Sequence, residues 1–459
     1  MCPDIDNAGI TDEAKREEMK LIVRPMLVLV IALCSAGIAL AGADSKAAPD
    51  GAAGDTIPPG TKITMGNWQH YKEFMSDGLI ELFQGTYFWK MPPDIEMDVG
   101  PTIIHPLPKS NLDATEKYAS QVKIVQLPDG GLNMQGYVAG LPFPNPSGPR
   151  KGWEILANLW YRYWPRLIVS GTDNAISDCS QDRYGNISCT KEIYVDRWLD
   201  HVTDPGYPMT EPQADGRDQT RFGMVVWPEQ NKYSAALNIF YADLTRLPSV
   251  YVFTPSNRHV TQLSSASRCQ TSGGSDMTPD DFRYGFAGNL PLFQSEVAGE
   301  KKILALLDYK PPTGGFPNGY YMPLGFSKPS WGQWQLRDVY VTDVRRIPAH
   351  AAGYCYGKRI LYIDKQFYAP LWEDLYDSDM KFWKIVNIST QALEVPGIGV
   401  VNNSGSISEQ FWDLRDNHGS FDTNFSDTGQ PVYINQQVPK EYDDKTKYGS
   451  PTGLSEIMR

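Results

Sequence analysis

Apolar and polar positions along the chain follow two different rhythms, and the change falls near residue 167. Before it the spacing is helical. In "NWQHYKEFM" Trp68, Tyr71 and Met75 stand at i, i+3 and i+7, with Asn67 placed to cap the turn. In "DGLIELF" Asp77 is the expected cap, and Leu79, Leu82 and Phe83 share one side. A third helix is expected over 112–122. "GLPFPNPSGP" (140–149) reads as a proline-rich connector. "WEILANLWYRYWP" (153–165) then sets Trp153, Leu156, Ala157, Trp160 and Trp164 on one helical stripe, ended by Pro165.

After 167 the pattern is that of strands separated by turns. The segments are "RFGMVVWP" (221–228), "AALNIFYADL" (235–244), "SVYVFTPSNRHVTQL" (249–263), "KKILALLDY" (301–309) and "WQLRDVYVTDVRRI" (334–347). They lead into "RILYIDKQFYAPLWEDLYDSDMKFWKI" (359–385), a meander of three strands and two tight turns. The expectation is a mainly β protein with some α, built on a large curved antiparallel sheet covered by helices. A meander with one wet face should be apolar inward and polar outward. This one is apolar on both, so something must cover the second face. Pro370 suits a bulge or an edge strand. Residues 401–459 are polar, weakly patterned and expected to wrap the surface.

The start of the chain bears on the compartment. In "MKLIVRPMLVLVIALCSAGIALA" (19–41) Lys20 and Arg24 form a basic flank, 25–40 an apolar run, and Ala39-Leu40-Ala41 a small-x-small cleavage pattern. The run is short for a membrane span. We expect a signal peptide over 1–41, cleaved between Ala41 and Gly42, with Met19 as the true start because the preceding stretch is acidic. An uncleaved anchor is the competing reading. A lipoprotein reading is weaker, since Leu33 stands before Cys34 where a small residue is wanted. Residues 42–64 read as a flexible leader and 65–400 as one sheet domain. The compartment is then the periplasm, with outer-membrane association a further expectation.

Export changes the meaning of the cysteines. Beyond the leader four remain, and an even number in an oxidising compartment points to disulfides. Cys179 and Cys189 flank a turn-like "SQDRYGNIS" and form the expected local pair, which leaves Cys269 with Cys355. A metal site competes poorly. No C-x-x-C occurs, and the six histidines are scattered at 70, 105, 201, 259, 350 and 418. Neither metal nor cofactor is expected. The net charge of −12 argues against a nucleic-acid partner.

Catalytic signatures are missing: no G-x-S-x-G, no Walker loop, no H-E-x-x-H. "GIGVVN" (397–402) lacks the third glycine of a dinucleotide fingerprint. The acidic pairs Asp280-Asp281 and Glu373-Asp374 could serve a glycosidase, but solvated acids on turns and strand edges are the plainer reading. Arg162 and Arg166, set among Trp and Tyr, imitate a stacking platform, but the acidic balance favours arginines snorkelling on a helix surface. What remains is an aromatic surplus of 12 Trp, 25 Tyr and 17 Phe. Such rings fill large β cores, or they line a cavity for an acyl chain or other apolar ligand. The lining residues expected on the second reading are Trp153, Trp160, Trp164, Tyr362, Trp372, Tyr376 and Trp383. The last four share a face if the register allows.

Three stretches carry a family resemblance: "GTKITMGNWQHYKEFMSDGLIELFQGTYFWKMP" (60–92), "YVAGLPFPNP" (137–146) and "YGKRILYIDKQFYAPLWEDLYDSDMKFWK" (356–384). They resemble the exported proteobacterial family known as domain of unknown function 1329. That family is similar in turn to the periplasmic lipoprotein carriers of the Lol system. The resemblance implies a sheet wrapped round helices with an apolar interior, no catalytic residues, and company with RND-type exporters and an outer-membrane protein. The leading expectation is a carrier of a lipid, a lipoprotein acyl group or another hydrophobic compound. A carbohydrate-active or carbohydrate-binding envelope protein is the first alternative. A transporter accessory subunit with no ligand of its own is the second.

Overall fold

The computed structural model describes residues 56–458 apart from 173–175, 265–267, 272, 284, 311–312, 403–406 and 425–431. The expected signal segment, its Ala41/Gly42 cleavage site and most of the leader lie outside the described residues.

Fifteen strands build one sheet. In chain order they are β1 (Leu167–Ser170), β2 (Ile176–Gln181), β3 (Ile187–Trp198), β4 (Arg217–Trp227), β5 (Ala235–Tyr241), β6 (Ser249–Thr254) and β7 (His259–Gln262). There follow β8 (Phe293–Leu306), β9 (Trp334–Arg346), β10 (Tyr356–Asp364), β11 (Pro370–Asp377), β12 (Phe382–Thr390), β13 (Ile407–Asp413), β14 (His418–Asn424) and β15 (Val432–Ile434). The order across the sheet is β7-β6-β5-β4-β3-β2-β14-β13-β12-β11-β10-β9-β8, with β1 on β3 and β15 on β1. The end strands β7 and β8 do not pair with each other, so the sheet is not closed into a barrel.

The meander forms β10, β11 and β12. Tyr362 stands opposite Trp372, and Trp372 opposite Asn387. Period-two alternation sends Tyr362, Trp372, Ile385, Trp412 and Phe421 to one face and Leu361, Leu375, Val386 and Phe411 to the other. Both faces are covered. On the first lie a 3-10 turn (Trp68–Phe74), helix α1 (Asp77–Gln84) and the excursion that carries Tyr320, Phe326 and Trp331. Further along the same face Tyr448 and Leu454 of the C-terminal segment pack on Val195, Phe222 and Leu237. Helix α3 packs on the second face; α2 (Lys109–Tyr118) precedes it in the chain and α3 spans Lys151–Trp160.

Local chemistry sets α1 against the sheet. Ser76, not Asp77, is its cap, accepting from the Leu79 N–H at 3.0 Å. Gly78 donates its N–H to Asp374 Oδ1 at 3.0 Å, and a Cβ at that position would run into Asp374 and Ile385. Asn67 does not cap: its side-chain oxygen accepts from the Thr64 N–H, and Trp68–Phe74 is a tight 3-10 turn. Helix α3 stops at Trp160, so Trp164 falls outside it. Pro370 begins β11 beside a register shift, which lets an inner strand tolerate it.

The C-terminal expectation needs correction. Within 401–459, β13 and β14 are interior strands joining the two halves of the sheet, and β15 pairs with β1. Ser408, Gln410 and Ser420 are in fact buried. Polarity there marks an internal hydrogen-bonded layer. Both expected disulfides are present, Cys179–Cys189 and Cys269–Cys355, with Cα atoms 4.1 and 5.6 Å apart.

Candidate functional site

On the second face, from β13 across to β6, the sheet and the described residues of the 263–283 segment line a cavity of about 500 Å³. One end is apolar. Val225, Ala236, Val250 and Val252 come from β4, β5 and β6, and Leu263 and Phe282 from the covering segment. The other end is polar, formed by Asp178, Glu192, Tyr194, Arg221, Glu409 and Asp422. The strand residues named here occupy alternate positions on their strands, which is why they share one face.

The covering segment is held down by charge and by a covalent bond. Asp280 pairs with Arg268, takes Arg346 at 3.1 Å and accepts from the Tyr354 hydroxyl at 2.7 Å. Asp281 pairs with Arg359 at 2.6 Å and accepts from the Tyr356 hydroxyl at 2.9 Å. Asp276 accepts from Ser420 Oγ at 2.7 Å, and its carbonyl accepts from Lys384 Nζ at 2.6 Å. Cys269 is bonded to Cys355. Asp280 and Asp281 are therefore not solvated turn acids: both are buried because they neutralise arginines that face the sheet interior. Glu373 and Asp374 are buried as well. Glu373 lies 3.6 Å from Arg359, whereas Asp374 faces α1 and accepts from Tyr362 at 2.9 Å. Consecutive strand residues on opposite faces cannot flank one bond.

The polar end has an unusual charge balance. Glu409 stands directly opposite Asp422, and Asp422 directly opposite Asp178, so three acids form a row across β13, β14 and β2. The Tyr194 hydroxyl lies 2.7 Å from Asp178 Oδ2 and 2.8 Å from Glu192 Oε2. A phenol has one hydrogen to donate, so keeping both bonds requires a proton on one of the two carboxyls. Burial, reinforced by neighbouring acids, raises Glu192 and Asp422 to about 7 and Glu409 to about 8. It lifts Asp178 well above the usual carboxylate range. Arg221 pulls all four the other way, and itself lies 3.8 Å from Asp196.

None of the seven aromatic residues expected to line a ligand site borders this cavity. Tyr362, Trp372 and Tyr376 share the first face, on the opposite side of the sheet, and Trp372 Nε1 donates to the Leu304 carbonyl at 2.9 Å. Trp383 goes to the other face, against Tyr356 at 5.3 Å, because a bulge between Leu375 and Tyr376 breaks the alternation. Trp153 and Trp160 lie in the layer beneath α3, and Trp164 stacks on Trp198 at 5.2 Å. Trp160 and Trp164 border a space of about 30 Å³. Arg162 and Arg166 do not snorkel. Both are buried, Arg162 donating to the carbonyls of Leu159 and Arg283 and Arg166 pairing with Glu211 at 2.9 Å.

The residues that do form the polar end were missed. Glu192 and Tyr194 carry a readable signal, polar at i and i+2 in "KEIYVDRW". Asp178, Glu409 and Asp422 carry none, since only the pairing of β2, β14 and β13 joins them. Among the described residues no cluster of His, Cys, Asp and Glu could hold a metal ion, and no helix is long and apolar enough to cross a membrane.

Comparison with solved structures finds a domain described as outer membrane lipoprotein-sorting from Vibrio parahaemolyticus, 12% identical, at a TM-score of 0.42 over 64% of this chain and 96% of that one. A DUF1329 family protein from Desulfovibrio piger matches at 12% identity and 0.44, over 66% of this chain and 100% of that one. The LolA superfamily protein NE2245 from Nitrosomonas europaea matches at 12% identity and 0.36, over 64% and 97%. A search of curated proteins returns no match. The family model described as "Protein of unknown function (DUF1329)" matches residues 62–453, and the chain therefore belongs to that family.

Proposed function

We propose that this protein is a periplasmic carrier, not an enzyme, for a lipid, a lipoprotein acyl group or another hydrophobic compound. The observation that carries this reading is the cavity of about 500 Å³ under the 263–283 segment. Its size lies within the roughly 300–1,000 Å³ usual for small-molecule sites, and it combines apolar walls with a few polar groups gathered at one end. Its cover is a tethered segment, the kind of element that can part from a sheet without breaking the ladder. Export is supported by the 19–41 leader and by two disulfides, which persist in oxidising compartments. Work beside an RND-type exporter and an outer-membrane protein belongs to this reading through the family resemblance alone.

The test is extraction of protein purified from the envelope, followed by lipid mass spectrometry, beside titration with an environment-sensitive acyl probe. Ala236→Trp should fill the apolar end and weaken probe binding at least about tenfold, roughly 1.4 kcal/mol, while the variant still unfolds cooperatively. Wild-type protein that carries no apolar compound and never binds the probe would end the carrier reading.

A further inference from the structure

The polar end of the cavity says something about the head of the ligand, granted the carrier reading. Asp178, Glu409 and Asp422 all border the cavity; one oxygen of each, Asp178 Oδ1, Glu409 Oε1 and Asp422 Oδ1, is buried behind its wall without a hydrogen-bond donor, and the Asp178 and Asp422 carboxyls lie within hydrogen-bond reach of each other. Glu409 is 4% exposed and borders the cavity, and its Oε1 has no donor among the described residues. The three belong to facing residues on adjacent strands, which run about 4.8 Å apart.

The cations nearby are shared with other acids. Arg221 is shared among Asp178, Glu192, Glu409 and Asp422 and also faces Asp196. Arg283, from the covering segment, also borders the cavity; it stacks over Trp160 at 4.0 Å, is buried with Nε and Nη1 lacking acceptors among the described residues, and has Asp218 as its nearest counter-charge. Asp281 adds negative charge near Glu409, and Arg162 opposes it. Unpaired buried acids are costly, and a ligand that brings donors and positive charge relieves that cost.

We propose that the Glu409–Asp422–Asp178 row seats a primary ammonium group, so that the cavity takes an amphiphile with an amine head and an apolar tail lying along Val225, Val250 and Val252. An ammonium has three donors and no acceptor, which suits a cavity wall that carries three carboxyl side chains. An alcohol offers one donor. A carboxylate offers none and meets like charge. In the ligand-free protein protons do the same work, one of them between Asp178 and Glu192 on either side of Tyr194, and amine binding displaces them to solvent.

The experiment compares dodecylamine, dodecanol and dodecanoate on the full-length exported protein by calorimetry, in buffers of different ionisation enthalpy near pH 7. Dodecylamine should bind at least about tenfold more tightly than the other two, as expected of charge-assisted hydrogen bonds, and should release protons as it binds. Glu409→Gln and Asp422→Asn should each erase most of that preference. Equal binding of all three, or preference for dodecanoate, would overturn the amine assignment and leave the carrier reading standing. So would an amine preference without proton release, a readout that needs no variant. A protein that binds none of the three would sink both readings together.

Discussion

Cys269 and Cys355, 86 positions apart in the chain, are joined by a disulfide that bonds the cover of the cavity to the residue just before β10. The second disulfide, Cys179–Cys189, closes a separation of only 10 and staples two paired strands. In the chain-entropy model the long loop contributes about 4.5 kcal/mol and the short one about 2.5 kcal/mol. Cys269→Ser/Cys355→Ser should therefore cost more stability than Cys179→Ser/Cys189→Ser, by about 2 kcal/mol in denaturant titrations. The first double variant should also exchange an acyl probe faster, because of the two disulfides it alone reaches the cover. Equal exchange rates in the two variants would show that the cover is held by the aspartates alone.

Trp372 separates core from cavity. It is fully buried, stacks on Trp334 at 6.2 Å and donates to the Leu304 carbonyl, on the face away from the cavity. Trp372→Ala should cost about 3–5 kcal/mol, as large aromatic truncations in packed cores do. Refolded protein should bind the acyl probe as the wild type does. A cost below about 1.5 kcal/mol together with lost probe binding would mean that ligand reaches this face instead.

Asp280 neutralises two arginines and ties the cover to β9. Asp280→Asn leaves Arg268 and Arg346 buried beside a neutral amide. Breaking a buried pair from one side costs about 3–5 kcal/mol. Urea titration should show that loss, and proteolysis should cut the 263–283 segment first. A variant within about 0.5 kcal/mol of wild type would show that the ion pairs are dispensable.

Stability should fall as the pH rises from about 5 to about 8. Glu192, Asp422 and Glu409 hold protons in the folded protein up to about 7, 7 and 8, whereas the unfolded chain releases them near 4. Over that window the folded state binds more protons, so each group favours folding at low pH. That contribution is lost as the pH climbs through the folded value, by up to about 1.4 kcal/mol per pH unit for each group. His418, raised by its bond to Asp276, acts in the same direction. Asp280 opposes at the acid end. Burial pushes it up, but Arg268, Arg346 and Arg359 outweigh burial and hold it low, so its contribution is lost only as the pH falls through that low value. Denaturation midpoints from pH 4 to 9 should peak near pH 5–6, and Glu409→Gln should flatten the alkaline side. A midpoint that climbs from pH 5 to 8 would contradict the buried-acid assignment.

What the sequence determined by itself is what depends on near neighbours in the chain. Alternation in the 359–385 stretch defined three strands and required that both their faces be covered, because one face of a solvated sheet must be polar. Helical spacing placed α1 and α3, and the turn between Cys179 and Cys189 paired those cysteines. Tertiary structure decided which residues meet. Tyr362, Trp372 and Tyr376 share a face as the period requires, but the bulge at Leu375/Tyr376 sends Trp383 to the other. A shift of one residue exchanges faces, and nothing local announces it. The polar tail became two interior strands because its acids and hydroxyls face partners far off in the chain, with Ser420 bonded to Asp276 and Asp422 opposite Asp178. The cavity exists only where β13, β14, β2, β3, β4, β5 and β6 lie side by side beneath a segment held by Arg268, Arg346 and Arg359. Burial of those acids is favourable only once the arginines are in place, so composition and periodicity read the same residues as surface.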